Sequence, residues 1–381
     1  MKKLLPLLSL VLLAACGDKE TSESNESGNI LENLTYTVDT VVVDPGNDLI
    51  NLGSGLRNFS LSSDGSSLFI FDTKRFLIQS IDLDKLKLTN SYQFEKEGPN
   101  GIGANPPYFQ SLEGGDFFIV SNLTRAGIYK KDGTNLKNLT FNAKEIEGLD
   151  LPNENLIMRQ LALSAETKYM FALTSDYSAP QVDLIVISPE SKTGKTVDIP
   201  AMDQAPASTI YFINGNTGTV HGEAVNLQLI QDQLYLSNSA NSDVYRYDYK
   251  TDSLSLFSFP HKIVSPRKTG TVKNNVSVQK DFEIERAKLL YQTGFEKLMW
   301  DDQRKQFFRF ARKPIPDEKN EWFDRSDIYL FAYDSGLNLL GETHLEKLTE
   351  VPPASFFKDG KLYSYVNVED ELGFAVFTFD F

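Results

Sequence analysis

The sequence predicts an all-β protein, a six-bladed β-propeller of four-stranded blades, on three observations. First, residues 57–94 contain four short runs of β-forming residues joined by turns such as Ser63-Asp64-Gly65-Ser66. Second, a β run, an acidic or glycine-containing turn and an aromatic β run recur, with turns near residues 64, 114, 166, 232, 302 and 359. Third, the 26 Phe and 16 Tyr favour pleated sheets over helices.

The spacing of these turns distinguishes a propeller from a β-sandwich. A sandwich predicts strands about every 8–12 residues without a longer period. Here the turns recur at intervals of 50 to 70 residues, somewhat more than the about 40–50 residues of common propeller repeats. The longer period favours the propeller, and the excess length predicts insertions in the connecting loops.

The two ends of the chain predict how the ring closes. Residues 34–44 form a β run with no hairpin partner next to it, and the last repeat has only three obvious strands. We therefore expect residues 34–381 to form the propeller, with the N-terminal strand completing the last blade. Such pairing hides the open edges that a free sheet exposes.

Residues 1–15 are predicted to be an export signal, with basic Lys2 and Lys3 before an apolar run too short to cross a membrane. The sequence LAAC, ending at Cys16, resembles the bacterial lipobox. That resemblance implies cleavage before Cys16, lipidation of its thiol and acylation of the new N-terminus by palmitate-type chains. The alternative is an ordinary signal peptide with an incidental cysteine.

Residues 16–33 are rich in Asp, Glu, Ser, Asn and Gly and are predicted to be a flexible tether. Asp18, Glu20 and Glu23 resemble a signal that sends some lipoproteins to the cell surface; a plain linker is the alternative. We expect a lipid-anchored protein of the cell envelope, at the outer membrane and on its periplasmic or its outer side.

Composition excludes several classes of function. The net charge of −14 and the pI of about 4.8 argue against a nucleic-acid partner. The single cysteine permits no intramolecular disulfide, and His221, His261 and His344 are too scattered for a zinc motif. Standard serine-hydrolase, phosphate-loop, dinucleotide-binding and kinase motifs are missing from the sequence. We expect neither a cofactor nor a metal ion.

Two further segments carry a resemblance to a family. Residues 97–103 (EGPNGIG) are similar to an inter-blade connector, and residues 295–310 (FEKLMWDDQRKQFFRF) to a strand-turn-strand unit with a basic turn. Together with the lipobox, they resemble the six-bladed propeller lipoproteins of Bacteroidetes-type bacteria, largely classed as a domain of unknown function. The connector departs from the more usual Gly-Pro-Gly-Glu form. The resemblance implies a fold, and no catalytic residue.

In a propeller the first strand of each blade lines the central channel, and loops gather at its mouth. The polar residues near the start of each first strand are therefore the candidate ligand-binding residues. The alternative is a water-filled channel whose inner strands are polar in any case. The candidates are Arg57, Asn58, Tyr108, Gln110, Arg159, Gln160, Glu223, Asn226, Glu296 and Lys297.

Three other features have both a functional and a structural interpretation. His221 and Glu223 together are suited to act as a base and its orienting group, or are unrelated loop residues. Residues 44–48 have oxygen ligands for Ca²⁺, or form an ordinary Asp/Asn turn. Residues 260–288, rich in Lys and Arg, form a lid, a contact for an acidic partner or lipid headgroup, or a solvated loop. A short helix is expected at 281–291, overlapping the end of this segment, and Arg309, Arg312 and Lys313 are expected to begin a second insertion.

These observations predict a binding or interaction scaffold with no chemistry of its own. Its partners would be the membrane, through the lipid, and a protein or a glycan. The alternative is a hydrolase or lyase acting on a small or carbohydrate-like substrate at the channel mouth. Three or more carboxylates converging there would favour the enzyme, and a mixed surface of Arg, Tyr and amides would favour the binding module.

Overall fold

The computed structural model describes residues 28–53, 55–104, 108–121, 125–140, 142–149, 151, 159–174, 181–215, 217–316 and 325–381. The predicted signal peptide, Cys16 and most of the predicted tether lie outside these ranges. The described part of the chain is dominated by β-strands, which confirms the all-β prediction.

The described strands are numbered in chain order. The first half has β1 (Thr35–Val42), β2 (Phe59–Leu61), β3 (Ser67–Asp72), β4 (Leu77–Asp82), β5 (Lys87–Gln93), β6 (Tyr108–Ser111), β7 (Phe117–Ser121), β8 (Arg125–Tyr129), β9 (Asn135–Asn138), β10 (Arg159–Leu163), β11 (Met170–Leu173), β12 (Asp183–Ser188) and β13 (Thr193–Asp198). The second half has β14 (Ile210–Asn214), β15 (Thr217–His221), β16 (Val225–Ile230), β17 (Gln233–Asn238), β18 (Val244–Asp248), β19 (Ser253–Phe257), β20 (Asn275–Val276), β21 (Gly294–Asp301), β22 (Gln306–Pro314), β23 (Ser326–Tyr333), β24 (Leu339–His344), β25 (Phe356–Lys358), β26 (Lys361–Val368) and β27 (Glu371–Asp380).

Within the described residues, these strands form six four-stranded antiparallel sheets and one small three-stranded sheet. Five of the larger sheets are simple meanders of consecutive strands, which we call sheets 1 to 5: β2–β5, β6–β9, β10–β13, β16–β19 and β21–β24. Sheet 6 has the order β25-β26-β27-β1. Each of the six turns predicted from the sequence joins the first two strands of one of these sheets.

The first strand of the chain pairs with the last. β1 runs antiparallel to β27 in continuous register, from Thr35 opposite Asp380 to Val42 opposite Gly373. Sheet 6 therefore has its fourth strand from the N-terminal end of the described chain, and β1 covers what would be the free edge of β27.

The core lies between successive sheets. Successive side chains of a strand point to opposite faces, so one strand contributes to the core on both sides of its sheet. In β3, Leu68 and Ile70 face the last sheet and pack in one cluster with Phe374 of β27. Their neighbours Phe69 and Phe71 point to the opposite side, into the cluster shared with sheet 2. Similar clusters join sheets 2 and 3, 3 and 4, 4 and 5, and 5 and 6. Each sheet is thus packed on both faces.

An additional unit, absent from the sequence-based prediction, is inserted around sheet 4. The hairpin β14–β15 pairs through β14 with β20, and the helix α2 (Gln279–Leu290) packs on that small sheet through Phe282 and Leu289. The helix was expected at 281–291, but the segment before it is neither a free loop nor a plain lid, because it supplies β20.

The remaining helical elements are short. They are the helix α1 (Gln204–Ala207) and the 3₁₀ turns Ala143–Glu145 and Pro200–Met202. Across the described ranges, none of the helices combines the length and the apolar character needed to span a membrane.

Candidate functional site: a cationic cavity beside sheets 4 and 5

Two of the candidate ligand-binding residues, Gln110 and Gln160, form hydrogen bonds with the backbone of the neighbouring sheet. The amide of Gln110 donates to the carbonyl oxygen of Leu163 and accepts from its N–H, both at 2.9 Å. Gln160 donates to the Val225 carbonyl oxygen and accepts from the Leu227 N–H, both at 2.6 Å. These amides hold first strands of adjacent sheets together, so they are structural clamps.

The other residues predicted on the first three sheets do not form a compact site. Arg57 and Asn58 precede β2, and Arg57 is exposed. Tyr108 in β6 is 42% exposed, yet the surrounding protein raises the pKa of its phenol to about 12 through loss of hydration. Arg159 begins β10, and its side chain lies outside the described part.

The four remaining candidates, Glu223, Asn226, Glu296 and Lys297, line one cavity of about 430 Å³. Its walls come from the start of sheet 4, the first two strands of sheet 5, and the insertion that contains α2. Sequence reasoning did not place the residues from the insertion and from the end of β22 at this site. They are Lys268, Arg286, Leu290, Gln292, Arg312 and Pro314.

An irregularity in β21 exposes Glu296 and Lys297. The pairing of β21 with β22 shifts register between Phe295 and Leu298, as in a β-bulge. Bulges redirect side chains at the edges of functional sites. The Lys297 ammonium lies 5.8 Å from the ring centre of Phe59 in sheet 1, so it projects into the space between the sheets. Loss of hydration lowers the pKa of Lys297, and Glu296 opposes that shift.

Arg309 supports this bulge from inside the protein. Its position was predicted to begin a second insertion, but it lies within β22 and is fully buried. Its guanidinium donates to the carbonyl oxygens of Glu296 at 2.6 Å, Ser242 at 2.7 Å and Asn238 at 2.9 Å. Burial lowers the pKa of Arg309 to about 10. Arg309 is therefore a positioning residue that joins sheet 4 to the backbone of the cavity.

A buried ion pair connects the insertion to the cavity wall. Lys268 Nζ lies 2.5 Å from Glu223 Oε1, and both side chains are only 7% exposed. Ser239 donates its hydroxyl to Glu223 Oε2 at 2.6 Å. Both oxygens of this carboxylate are therefore occupied. His221 lies nearby, and burial lowers the pKa of its ring while Glu223 opposes the shift.

Hydrogen bonds within the insertion fix the conformation of its remaining part. Gln292 accepts a hydrogen bond from the Thr269 N–H at 2.7 Å and donates to the Thr269 carbonyl oxygen at 2.9 Å. Glu285, buried in α2, accepts from the Lys273 N–H at 2.9 Å. These contacts hold Lys268, Arg286 and Gln292 at the cavity, which argues against a freely solvated loop.

The charges around the cavity are predominantly positive. Lys268, Arg286, Lys297 and Arg312 contribute four cations, whereas Glu223 and Glu296 contribute two carboxylates. Arg312 Nε lies 3.7 Å from Glu296 Oε1 at the exposed rim. Elsewhere the protein is strongly acidic, with a net charge of −14. The cavity is thus a local cationic site.

The geometry does not favour the metal-binding alternatives. At residues 44–48, Asp44 pairs with Lys87 at 3.0 Å and Asp48 with Arg75 at 2.8 Å, so the proposed Ca²⁺ ligands already face cations. Arg75 and Leu49 hold the pKa of Asp48 at about 2 through hydrogen bonds. In the ranges that the structure describes, no three His, Cys, Asp or Glu side chains form a group able to hold a metal ion.

These features define an all-β, propeller-like protein with a cationic cavity beside its first strands. The chain belongs to the family described as Domain of unknown function (DUF4221), whose model matches residues 27–344. The resemblance to an unknown-function family of Bacteroidetes type is thereby confirmed. A search of curated proteins gave no match.

A solved structure from the same family shares the fold. This member of the DUF4221 family from Bacteroides vulgatus is 13% identical, with a TM-score of 0.63 over 91% of this chain and 98% of that one. Identity this low speaks to the fold alone. Two other solved structures are similar at lower scores. A Bacteroides fragilis protein described as a candidate exported protein is 8% identical, with a TM-score of 0.48 over 93% and 96%. The Swd1 β-propeller domain from Myceliophteria thermophila is 9% identical, with a TM-score of 0.40 over 84% and 82%.

Proposed function

We propose that this protein is a binding module whose cationic cavity holds a small anionic ligand, without chemistry of its own. The observation that carries the proposal is the excess of cations over carboxylates around one concave site in a protein of net charge −14. The volume of about 430 Å³ falls in the range of about 300–1,000 Å³ that is usual for small-molecule sites.

Electrostatics gives the reason why such a site selects anions. The field of an acidic protein repels anions from most of its surface, whereas clustered cations in a concave, low-dielectric site focus a positive potential. Arg312 offers a planar fork of donors, and Lys297 a compact ammonium. Because hydration is already reduced around Lys297, an incoming anion loses less to competition with water there.

We further propose that the six four-stranded sheets are the blades of one closed propeller, with β1 as the closing strand. The support is the pairing of β1 with β27 and the cluster that joins β27 to β3. In this arrangement the first strands surround a channel, and the cationic cavity opens beside the channel mouth. Residues 34–381 would then be a single domain.

The enzyme alternative has less support. A base needs a free lone pair and an orienting partner. Glu223, the carboxylate closest in sequence to His221, already accepts hydrogen bonds from Lys268 and Ser239. Two carboxylates line the cavity, each near a cation. That arrangement suits holding a ligand better than moving protons, so we retain the binding role.

The proposed location is the cell envelope, where lipid on Cys16 anchors the domain through the tether. Acyl chains contribute about 0.8 kcal/mol for each buried CH₂, so two or more chains hold a protein stably. Cys16→Ser is expected to abolish labelling by a fatty-acid probe in cells. Persistent labelling of that variant would remove the lipid anchor from the proposal. A protein or glycan partner and the side of the outer membrane stay predictions.

The binding role is tested by thermal shift of the purified protein with small carboxylates, sulfate, phosphate and neutral sugars. An anion that binds the native state raises the melting temperature. The double variant Lys297→Gln, Arg312→Gln should lose that rise, because both side chains line the cavity. Lys313→Gln, one residue further on and outside the cavity lining, should keep it.

Two outcomes would count against the role. Equal stabilisation by neutral sugars would show that charge does not select the ligand. An unchanged anion response in the double variant would place binding away from the cavity. Because stabilisation by an exposed cationic site is screened by salt, the rise should also shrink as ionic strength increases.

A further inference from the structure

A second cavity, of about 220 Å³, adjoins the cationic one. Both cavities are lined by Glu296, Lys297 and Arg312, so the charged rim of the first is also the entrance to the second. The second cavity lies between sheet 5 and residues 351–355, which precede β25. The two cavities together form one elongated, two-part site.

Besides the three charged residues that it shares with the first cavity, the second cavity is lined mainly by apolar side chains. They are Met299, Phe310, Val351, Pro352, Pro353 and Ala354. Prolines have no N–H to donate. The hydroxyl of Ser355 donates to the Pro352 carbonyl oxygen at 2.7 Å, so it is committed within the wall. A ligand group seated here meets hydrocarbon, in contrast to the charged part on the other side of Lys297.

We propose that the ligand is an amphipathic monocarboxylate, with its carboxylate at Lys297 and Arg312 and its apolar group in the second cavity. This inference rests on the proposed anion-binding function and specifies the class of ligand. We assign a single carboxylate because Lys297 and Arg312 are the cations that line both cavities. An apolar cavity of about 150 Å³ accommodates benzene, so the second cavity has room for a phenyl ring or a short alkyl chain.

The test is calorimetric titration of the purified protein with acetate, butyrate, hexanoate and phenylacetate, with hexanamide as the neutral analogue. Burial of each CH₂ is worth about 0.8 kcal/mol, which corresponds to a threefold to fourfold gain in affinity per methylene. We expect affinity to rise by that factor for each methylene added between acetate and hexanoate, and hexanamide to bind at least tenfold more weakly than hexanoate.

Ala354 supplies a variant that isolates the apolar cavity. Its φ of 48° is left-handed, a conformation that Asn and Gly adopt readily. Ala354→Asn places an amide in the cavity and should remove the gain with chain length while acetate binding stays unchanged. Ala354→Gly is the matched control and should retain most of the gain.

Each way in which the proposal could fail gives a different titration result. If no carboxylate binds, the proposed function itself is wrong. If acetate and hexanoate bind equally well, the anion site stands and the amphipathic ligand is overturned. If the gain with chain length persists in Ala354→Asn, the apolar group lies elsewhere and the assignment of the second cavity is overturned.

Discussion

The side-chain amide of Gln228 holds the backbone of Leu298 on the next sheet. It donates to the Leu298 carbonyl oxygen at 2.9 Å and accepts from the Leu298 N–H at 3.1 Å. Gln110 and Gln160 make the same type of contact between sheets 2 and 3 and between sheets 3 and 4. Each of these glutamine side chains thus pairs with one N–H and one carbonyl oxygen of a first strand. That strand has a backbone hydrogen-bonding partner on its other side only.

Replacing Gln228 tests the strength of this clamp. Gln228→Leu leaves the Leu298 N–H and carbonyl oxygen without their partner, so the free energy of unfolding should fall by about 2 kcal/mol. Chemical denaturation measures the change. Gln181→Leu, at an exposed position outside the strands, is the control and should stay within about 0.5 kcal/mol. Equal stability of both variants would show that the clamp is dispensable.

Arg309 should be among the most sensitive positions in the protein. Arg309→Met removes the donors to three carbonyl oxygens, two of them in buried hydrogen bonds. The free energy of unfolding should therefore fall by about 3 kcal/mol despite the removal of a buried charge. Arg309→Lys should not rescue stability, because a single ammonium lacks the guanidinium fork. Arg325→Met, exposed at the start of β23, is the control. Wild-type stability of Arg309→Lys would argue that charge, rather than geometry, is what matters here.

His261 makes stability depend on pH. Its side chain is fully buried, 4.1 Å from the ring centre of Phe331 and between Phe259 and Phe295. Burial, reinforced by the positive charge of Arg309, lowers its pKa to about 4. Glu342 Oε2 lies 3.3 Å from Nδ1 and favours the charged ring. The loss of hydration in this aromatic enclosure is the larger effect.

The direction of the pH dependence follows from the difference in proton binding between the unfolded and the folded chain. The unfolded chain binds a proton at His261 near pH 6.5, whereas the folded chain does so only near pH 4. The contribution is therefore fully present above pH 6.5 and is lost as pH falls towards 4, by about 2–3 kcal/mol. His261→Phe should flatten that part of the stability profile relative to wild type. Parallel profiles for the two proteins between pH 7 and pH 4 would disprove the assignment.

The pairing of β1 with β27 is testable by deletion. Removing residues 34–44 uncovers the edge of β27 and the buried side chains beneath it, and should lower the melting temperature of the entire domain in one transition. Val38→Thr and Val42→Thr alter outward-facing side chains, 46% and 42% exposed, and should have little effect. An unchanged melting temperature after the deletion would mean that β1 does not close the ring.

The parts of the fold that local chemistry specifies were predictable. The turn at Asp64-Gly65 and the turn at Asp359-Gly360 have the residues that left-handed turn positions require, and both glycines have positive φ. The pairing of β1 was predictable because residues 34–44 form a strand without a neighbouring partner and the last repeat lacks one strand. The hairpin β14–β15 was missed although its turn contains Gly215 at positive φ, and glycine is the residue that tight hairpin turns favour.

The site was only partly predictable, for a physical reason. Glu223 and Lys297 lie near the start of a first strand, and that position predicts their place at the cavity. Gln110 and Gln160 obey the same rule but turn sideways to the next sheet, which sequence alone does not reveal. Lys268 and Arg286 reach the cavity because the insertion folds back on sheet 4. The position of the insertion depends on tertiary packing between β14 and α2.

The most direct test of anion recognition by this cavity is a crystal structure of the protein with 4-bromobenzoate, whose bromine is located by anomalous scattering. We expect one bromine site beside Val351 and Pro353, with the carboxylate in hydrogen-bonding distance of Lys297 and Arg312. The site should be lost in the double variant Lys297→Gln, Arg312→Gln. A bromine bound elsewhere, or one that stays in the double variant, would contradict the claim that this cavity recognises an anion.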